Sequence, residues 1–178
     1  PGNEHFQLGR PVYGDYLAFA RWRKLSVDRN QLQRLYDDLG GNFRALEFFA
    51  TAAKNMSLED EKAFLKTLKN VEAEIQTNMA IAEVVAQRSH EERELLNRLT
   101  AYQTTVPEDG AIMLFVSSFL PEEERILNVD AGSLLRKLAD VSLVEQYRNT
   151  GTGLMEYGLS PLIRSWLQDN GTKAPGRD

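Results

Sequence analysis

Cysteine is absent from the 178 residues, and with it go disulfides, thiolate metal sites and a cysteine nucleophile. Only two histidines occur, His5 and His90, far apart in sequence and without carboxylates at ligand spacing, so a metal site is not expected. No apolar run approaches the roughly 18 residues of a membrane span, and the N-terminus lacks a basic-then-apolar leader. No Gly-x-x-x-x-Gly-Lys followed by Ser or Thr is present, so no phosphate-cradling loop with its lysine is encoded. A strand ending in paired acids, which would hold magnesium, is missing as well. The acidic run Glu122–Glu124 is consecutive, whereas acid–base catalysis needs carboxylates facing each other. The expectation is a cytoplasmic chain with no membrane partner, no catalytic residue and no enzymatic activity. It begins Pro1-Gly2-Asn3, as a processed or excised product would.

What is present is enough for a core. Apolar residues make up 42% and charged residues 26%, which argues against disorder. The net charge of -5 is unevenly spread. Residues 1–88 balance 12 basic against 12 acidic side chains, while 89–178 carry 9 against 14. A protein that neutralises DNA phosphates shows the opposite sign.

The first half reads as helices throughout. Tyr13 to Leu25 is rich in aromatics, and Trp22 is expected to anchor the first core as Trp166 anchors the second. Asp28 to Gln31 has the form of a capping box, with Leu32, Leu35, Tyr36 and Leu39 as one helical stripe. Gly40-Gly41 stops that helix, and Asn42 caps the next, whose inner face is Ala45, Leu46, Phe49 and Ala50. Ser57 opens another helix, and no glycine or proline interrupts residues 57–106. Ser89 to Glu92 forms a second capping box, and the domain boundary is placed there.

The last third has a different grammar. Pro107 to Gly110 signals a turn and a helix start, and the acids after Pro121 open a further helix. Ser133 to Asp140 is a short amphipathic helix. Val141–Tyr147 and Leu154–Leu159 are strand-like and flank a Gly-rich turn at 149–153. Ser160 caps a final helix with Pro161 at its first position. The expected architecture is mainly α: a helical bundle over 1–88, a winged-helix domain with a small β-hairpin over 89–170, and a disordered tail over 171–178.

Gly40-Gly41-Asn42-Phe43-Arg44-Ala45-Leu46 resembles the Gly-Gly-x-Pro-x-Ala-Leu segment of STAND-type signal-transduction ATPases, the NB-ARC-like regulators. Residues 134–145 and 157–167 resemble the winged helix that follows it in that family. The resemblance implies that the chain is a regulatory lid that clamps a nucleotide held by a P-loop NTPase domain of the same parent chain. It implies nucleotide-proximal positions at Gly41, Asn42, Phe43 and Ser160, with ATP or ADP belonging to the parent and no cofactor on this chain alone. Phe43 stands where the family has proline, and Ser160 where it has histidine. Each also has a plain structural reading: Gly41 as a helix stop, Phe43 as a core residue, Ser160 as a cap. Docking on other protein domains would use Arg136, Lys137, Arg148 and Arg164. The alternative is a winged-helix DNA-binding regulator, with Arg136 and Lys137 on a recognition helix and Arg148 near the wing tip. Asp130, Asp140 and Glu145 close by oppose that field, so DNA is not the expected partner.

Overall fold

Short polar side chains set where the helices begin. In the computed structural model, which describes residues 11–25, 27–116 and 130–170, Asp28, Asn42, Ser57, Ser89 and Asp130 each accept a backbone N–H three residues on. Such caps satisfy amides that have no partner inside the helix. The Ser89 box is complete, since the Glu92 carboxylate accepts the Ser89 N–H at 2.8 Å. The Asp28 box is not. Asp28 accepts the Gln31 amide, but the Gln31 side chain donates at 2.8 Å to Glu61 instead of turning back. A partner on another helix wins over the local contact.

The chain divides into two compact units, Pro1–Val84 and Val85–Asp178. Among the described residues the elements of the first unit are all helices: α1 (Tyr13–Trp22), α2 (Arg29–Asp38), α3 (Phe43–Ala53), α4 (Leu58–Lys69) and most of α5 (Ala73–Ala86). Its core gathers Tyr16, Leu32, Leu35, Leu39, Leu46, Phe49 and Leu68, all nearly inaccessible. Phe43, Phe64 and Leu65 pack against it from positions of partial burial. Burying one such side chain is worth about 1.5–3 kcal/mol, so this cluster supplies much of what orders the unit. Polar ties link the helices further: Lys69 on α4 pairs with Asp38 on α2 at 2.8 Å. α1 ends in a left-handed residue, Lys24 (φ 52°), with the Leu25 N–H reaching back to the Ala20 carbonyl at 2.9 Å. α2 ends at Gly40 and Gly41, whose φ of 63° and 79° favour glycine.

Trp22 departs from expectation. It is 73% exposed, while its neighbours Tyr16 and Ala20 are buried. α1 carries apolar residues all round, so periodicity did not reveal which side faces in.

The second unit contains α6 (His90–Leu99), β1 (Val106–Pro107), α7 (Glu108–Val116), α8 (Ala131–Asp140), β2 (Glu145–Arg148), β3 (Met155–Gly158) and α9 (Pro161–Asn170). The strands form one antiparallel sheet in the order β1-β3-β2, with Val106 opposite Tyr157 and Gln146 opposite the same tyrosine on the other side. Leu95, Leu96, Leu99, Phe115, Leu135, Leu138, Tyr157 and Ile163 are buried. Trp166 is partly buried, less enclosed than these residues.

The strands are shorter than the expected 141–147 and 154–159. Ser142 adopts a left-handed φ of 61°, and the amides of Leu143 and Val144 both reach the Leu138 carbonyl. The end of α8 therefore holds these two buried residues in its own turn, and extended pairing starts only at Glu145. The two-residue strand β1 was not expected, because Pro107 read as a turn. The expected helix at Glu122–Glu124 and the expected tail over 171–178 lie outside the described residues.

Candidate functional site

In the first unit, the glycine corner between α2 and α3 is tightly bonded to itself. Gly41 is buried, its N–H donates to the Tyr36 carbonyl at 3.1 Å, and the Asn42 N–H donates to Leu39 at 3.1 Å. The Asn42 carboxamide works at both ends. Its Oδ1 accepts the Ala45 amide at 3.0 Å, while Nδ2 donates to the Ala73 carbonyl at 2.8 Å and to Thr77 Oγ1 at 3.1 Å. Asn42 thus caps α3 and also ties that cap to the first turn of α5. The Phe43 ring sits half-buried among aromatics, 5.0 Å from Phe19 and 5.7 Å from Tyr16 between ring centres. Those spacings are ordinary for packed aromatic pairs. The Gly41, Asn42 and Ala45 amides of the corner are therefore already engaged, and the Phe43 ring keeps partial exposure.

Next to that corner lies Glu47, 1% exposed on α3 and sequestered by two guanidinium groups. Arg23 donates to one carboxylate oxygen, and Arg44 to the other at 3.0 Å. Ala45-Leu46-Glu47-Phe48-Phe49-Ala50 is apolar apart from this one acid. A lone acid inside such a run is a legible sign of a buried, paired charge, and the sequence reading passed it over.

In the second unit, Ser160 is 8% exposed and its Oγ accepts the Ile163 N–H at 3.3 Å, which makes it the cap of α9. Arg164, one turn on, donates through Nη1 to the Thr100 carbonyl at 3.0 Å and so fastens α9 to the end of α6. Arg136 and Lys137 are exposed on α8, and Arg148 is exposed at the end of β2. Arg136 lies 3.5 Å from Glu108. Lys137 stands close enough to Glu91 to be felt there. That carboxyl is held below its ordinary range by its own backbone amide first, then by Ser89, with His90 and Lys137 adding smaller pulls. Arg136 thus faces an acid at short range and Lys137 lies within electrostatic reach of another, which weakens their field for phosphate.

No family model matches the chain, and no curated protein shows significant sequence similarity to it.

The eight residues singled out from sequence fall into two sets by unit: Gly41, Asn42 and Phe43 in the first, Ser160, Arg136, Lys137, Arg148 and Arg164 in the second. Gly41, Asn42, Ser160 and Arg164 each make an internal hydrogen bond. Phe43, Arg136, Lys137 and Arg148 keep accessible surface. Among the described residues, no group of three or more His, Cys, Asp or Glu is placed to hold a metal ion, and no helix is long and apolar enough to cross a membrane.

Glu156 also went unnoticed in the sequence. It accepts Thr105 Oγ1 at 2.5 Å and Asn149 Nδ2 at 2.6 Å, joining the segment before β1 to the turn between β2 and β3. These two hydrogen bonds, Thr105 first, hold its carboxyl below the usual carboxylate range. On β2, Tyr147 donates to Glu145, and that bond pushes its phenol up.

Proposed function

We propose that this chain is the regulatory lid of a STAND-like ATPase, a helical bundle followed by a winged helix, acting by domain docking without catalysis of its own. The observation that carries the reading is the element order of the second unit. Among the described residues, helix, short strand, two helices, two strands and a capped final helix follow one another, with the sheet in the order β1-β3-β2, and this order supports a winged-helix reading. The Gly-Gly corner and its Asn42 cap give the family-like segment a rigid frame. On this reading the exposed part of the Phe43 ring lies against adenine, and Ser160 serves as a cap in place of a phosphate-sensing histidine. ATP or ADP belongs to the P-loop domain of the parent chain. Switching is a rigid-body rotation of the winged helix against that domain.

The test is the size of the natural gene product, read by immunoblot of source cells. A band far above the 20.2 kDa of this chain supports the lid reading, and a band near that mass overturns it. The isolated chain should show no ATPase activity above background. Turnover that follows the protein peak through purification would equally overturn the reading.

A DNA-reading use of α8 is the second reading, favoured by the exposure of Arg136, Lys137 and Arg148. The nearby Glu108 and Glu91 speak against it. Duplex affinity at physiological salt is expected to be no better than about 10⁻⁴ M, the weak end of non-specific binding. A sequence-specific complex that survives rising salt would put DNA first.

A further inference from the structure

In the first unit a half-open groove of about 230 Å³ lies between the end of α1, the turn that follows it and the start of α2. Leu17, Leu25, Val27 and Leu32 give it an apolar floor. Arg21, Lys24 and Arg29 line it as well, all three exposed. None of the three makes an ion pair with an acid among the described residues. Asp28, the acid next to Arg29, has one carboxylate oxygen engaged by the Gln31 amide at 2.8 Å. Arg23, from the same turn, is drawn away to Glu47. The groove thus sets three available cations around an apolar floor.

Its backbone carries a further sign. Lys24 occupies the left-handed position after α1, at φ 52°, where glycine fits without steric cost. A residue with a Cβ costs about 1–2 kcal/mol there.

Size and charge select the occupant. Pockets for whole small molecules run to about 300–1,000 Å³, and this one falls short. It has room for one or two apolar side chains presented from a helix or loop of another protein. Cations at the rim then favour carboxylates on either side of those anchors. We propose that this groove docks an acidic amphipathic peptide segment of a partner protein, its apolar side chains on Leu25 and Val27 and its carboxylates against Arg21, Lys24 and Arg29. The inference concerns the first unit alone and does not depend on the lid reading.

The test uses the full 178-residue chain and a fluorescein-labelled helical peptide with leucines at i and i+4 in a field of glutamates. Two controls replace the glutamates by lysines or the leucines by serines. Expected are saturable binding of the acidic peptide alone, amide shifts centred on Leu25 and Val27, and an affinity that falls with salt. Reversing all three cations to glutamate should weaken binding roughly tenfold or more. Lys24→Gly is the variant that cannot fail by unfolding, since it relieves the backbone: it should raise Tm and still weaken binding. Equal binding of the acidic and basic peptides, shifts elsewhere, no shifts at millimolar peptide, or unchanged affinity in Lys24→Gly and the triple reversal would each overturn the proposal. So would binding to phosphatidylglycerol vesicles or a single-stranded oligonucleotide that matches or exceeds that of the peptide.

Discussion

The two units hold their carboxylates in different ways. In the first, Glu47 is buried and neutralised by two arginines. In the second, Glu92 is also buried but accepts a backbone amide, and Glu156 is partly exposed and accepts neutral side-chain donors. A buried ion has lost its hydration, so its partners are indispensable once it is there. A carboxylate bonded to neutral donors near water loses less when a partner goes. The first unit is therefore predicted to depend on charge, and the second on capping and turn geometry.

The largest effect should come from Arg23→Ala with Arg44→Ala, which strands Glu47 without a cation. Breaking a buried pair costs about 3–5 kcal/mol, and about 3 kcal/mol is expected here because both arginines are partly exposed. Glu47→Leu in the same background should restore most of it. Urea unfolding followed by far-UV circular dichroism measures both, and a loss below about 1 kcal/mol for the double variant would erase the contrast. Ser89→Ala comes next, at about 1 kcal/mol, since it removes the cap of α6 and frees the amide of Glu92. This loss should be insensitive to salt.

Glu156 should give a smaller and local effect. Its folded carboxyl titrates below the ordinary range, so its hydrogen bonds stabilise the fold above the unfolded-state pKa. That contribution fades as pH falls through the lowered folded value. Amide protection across β3, taken relative to intrinsic exchange, should fall on acidification below the usual carboxylate range, and in Glu156→Gln this step should be missing. Unchanged protection in the native protein would mean that Thr105 and Asn149 do not govern the hairpin. Smallest of all should be Trp22→Ala, which is expected to shift stability by no more than about 0.5 kcal/mol, as exposed positions do.

The reach of each interaction decides what was legible. Asp28, Asn42, Ser57 and Ser89 act on amides three residues away, so their residue types and the spacing that follows were enough to place helix starts. The Gly40-Gly41 stop is local in the same sense. β1 escaped because Val106 pairs with Tyr157, fifty-one residues later, and nothing near Pro107 announces that partner. Trp22 was misplaced because aromatics surround α1, and burial there is decided by α2 and α3. The second task of Asn42, binding Ala73 and Thr77, was hidden for the same reason. Of the chosen site residues, types and caps could be read in advance, but whether each side chain was already engaged could not.

Pro107 gives the small sheet a direction of growth. A proline donates to no neighbour, and β1 has only one other residue, so a further strand laid along that side would gain almost no ladder. The other margin is β2, four residues long, beginning at Glu145 and ending at Arg148. Strand addition, whether by a partner or by a misfolded copy, is thus channelled to a single margin where the incoming backbone must match charges of both signs.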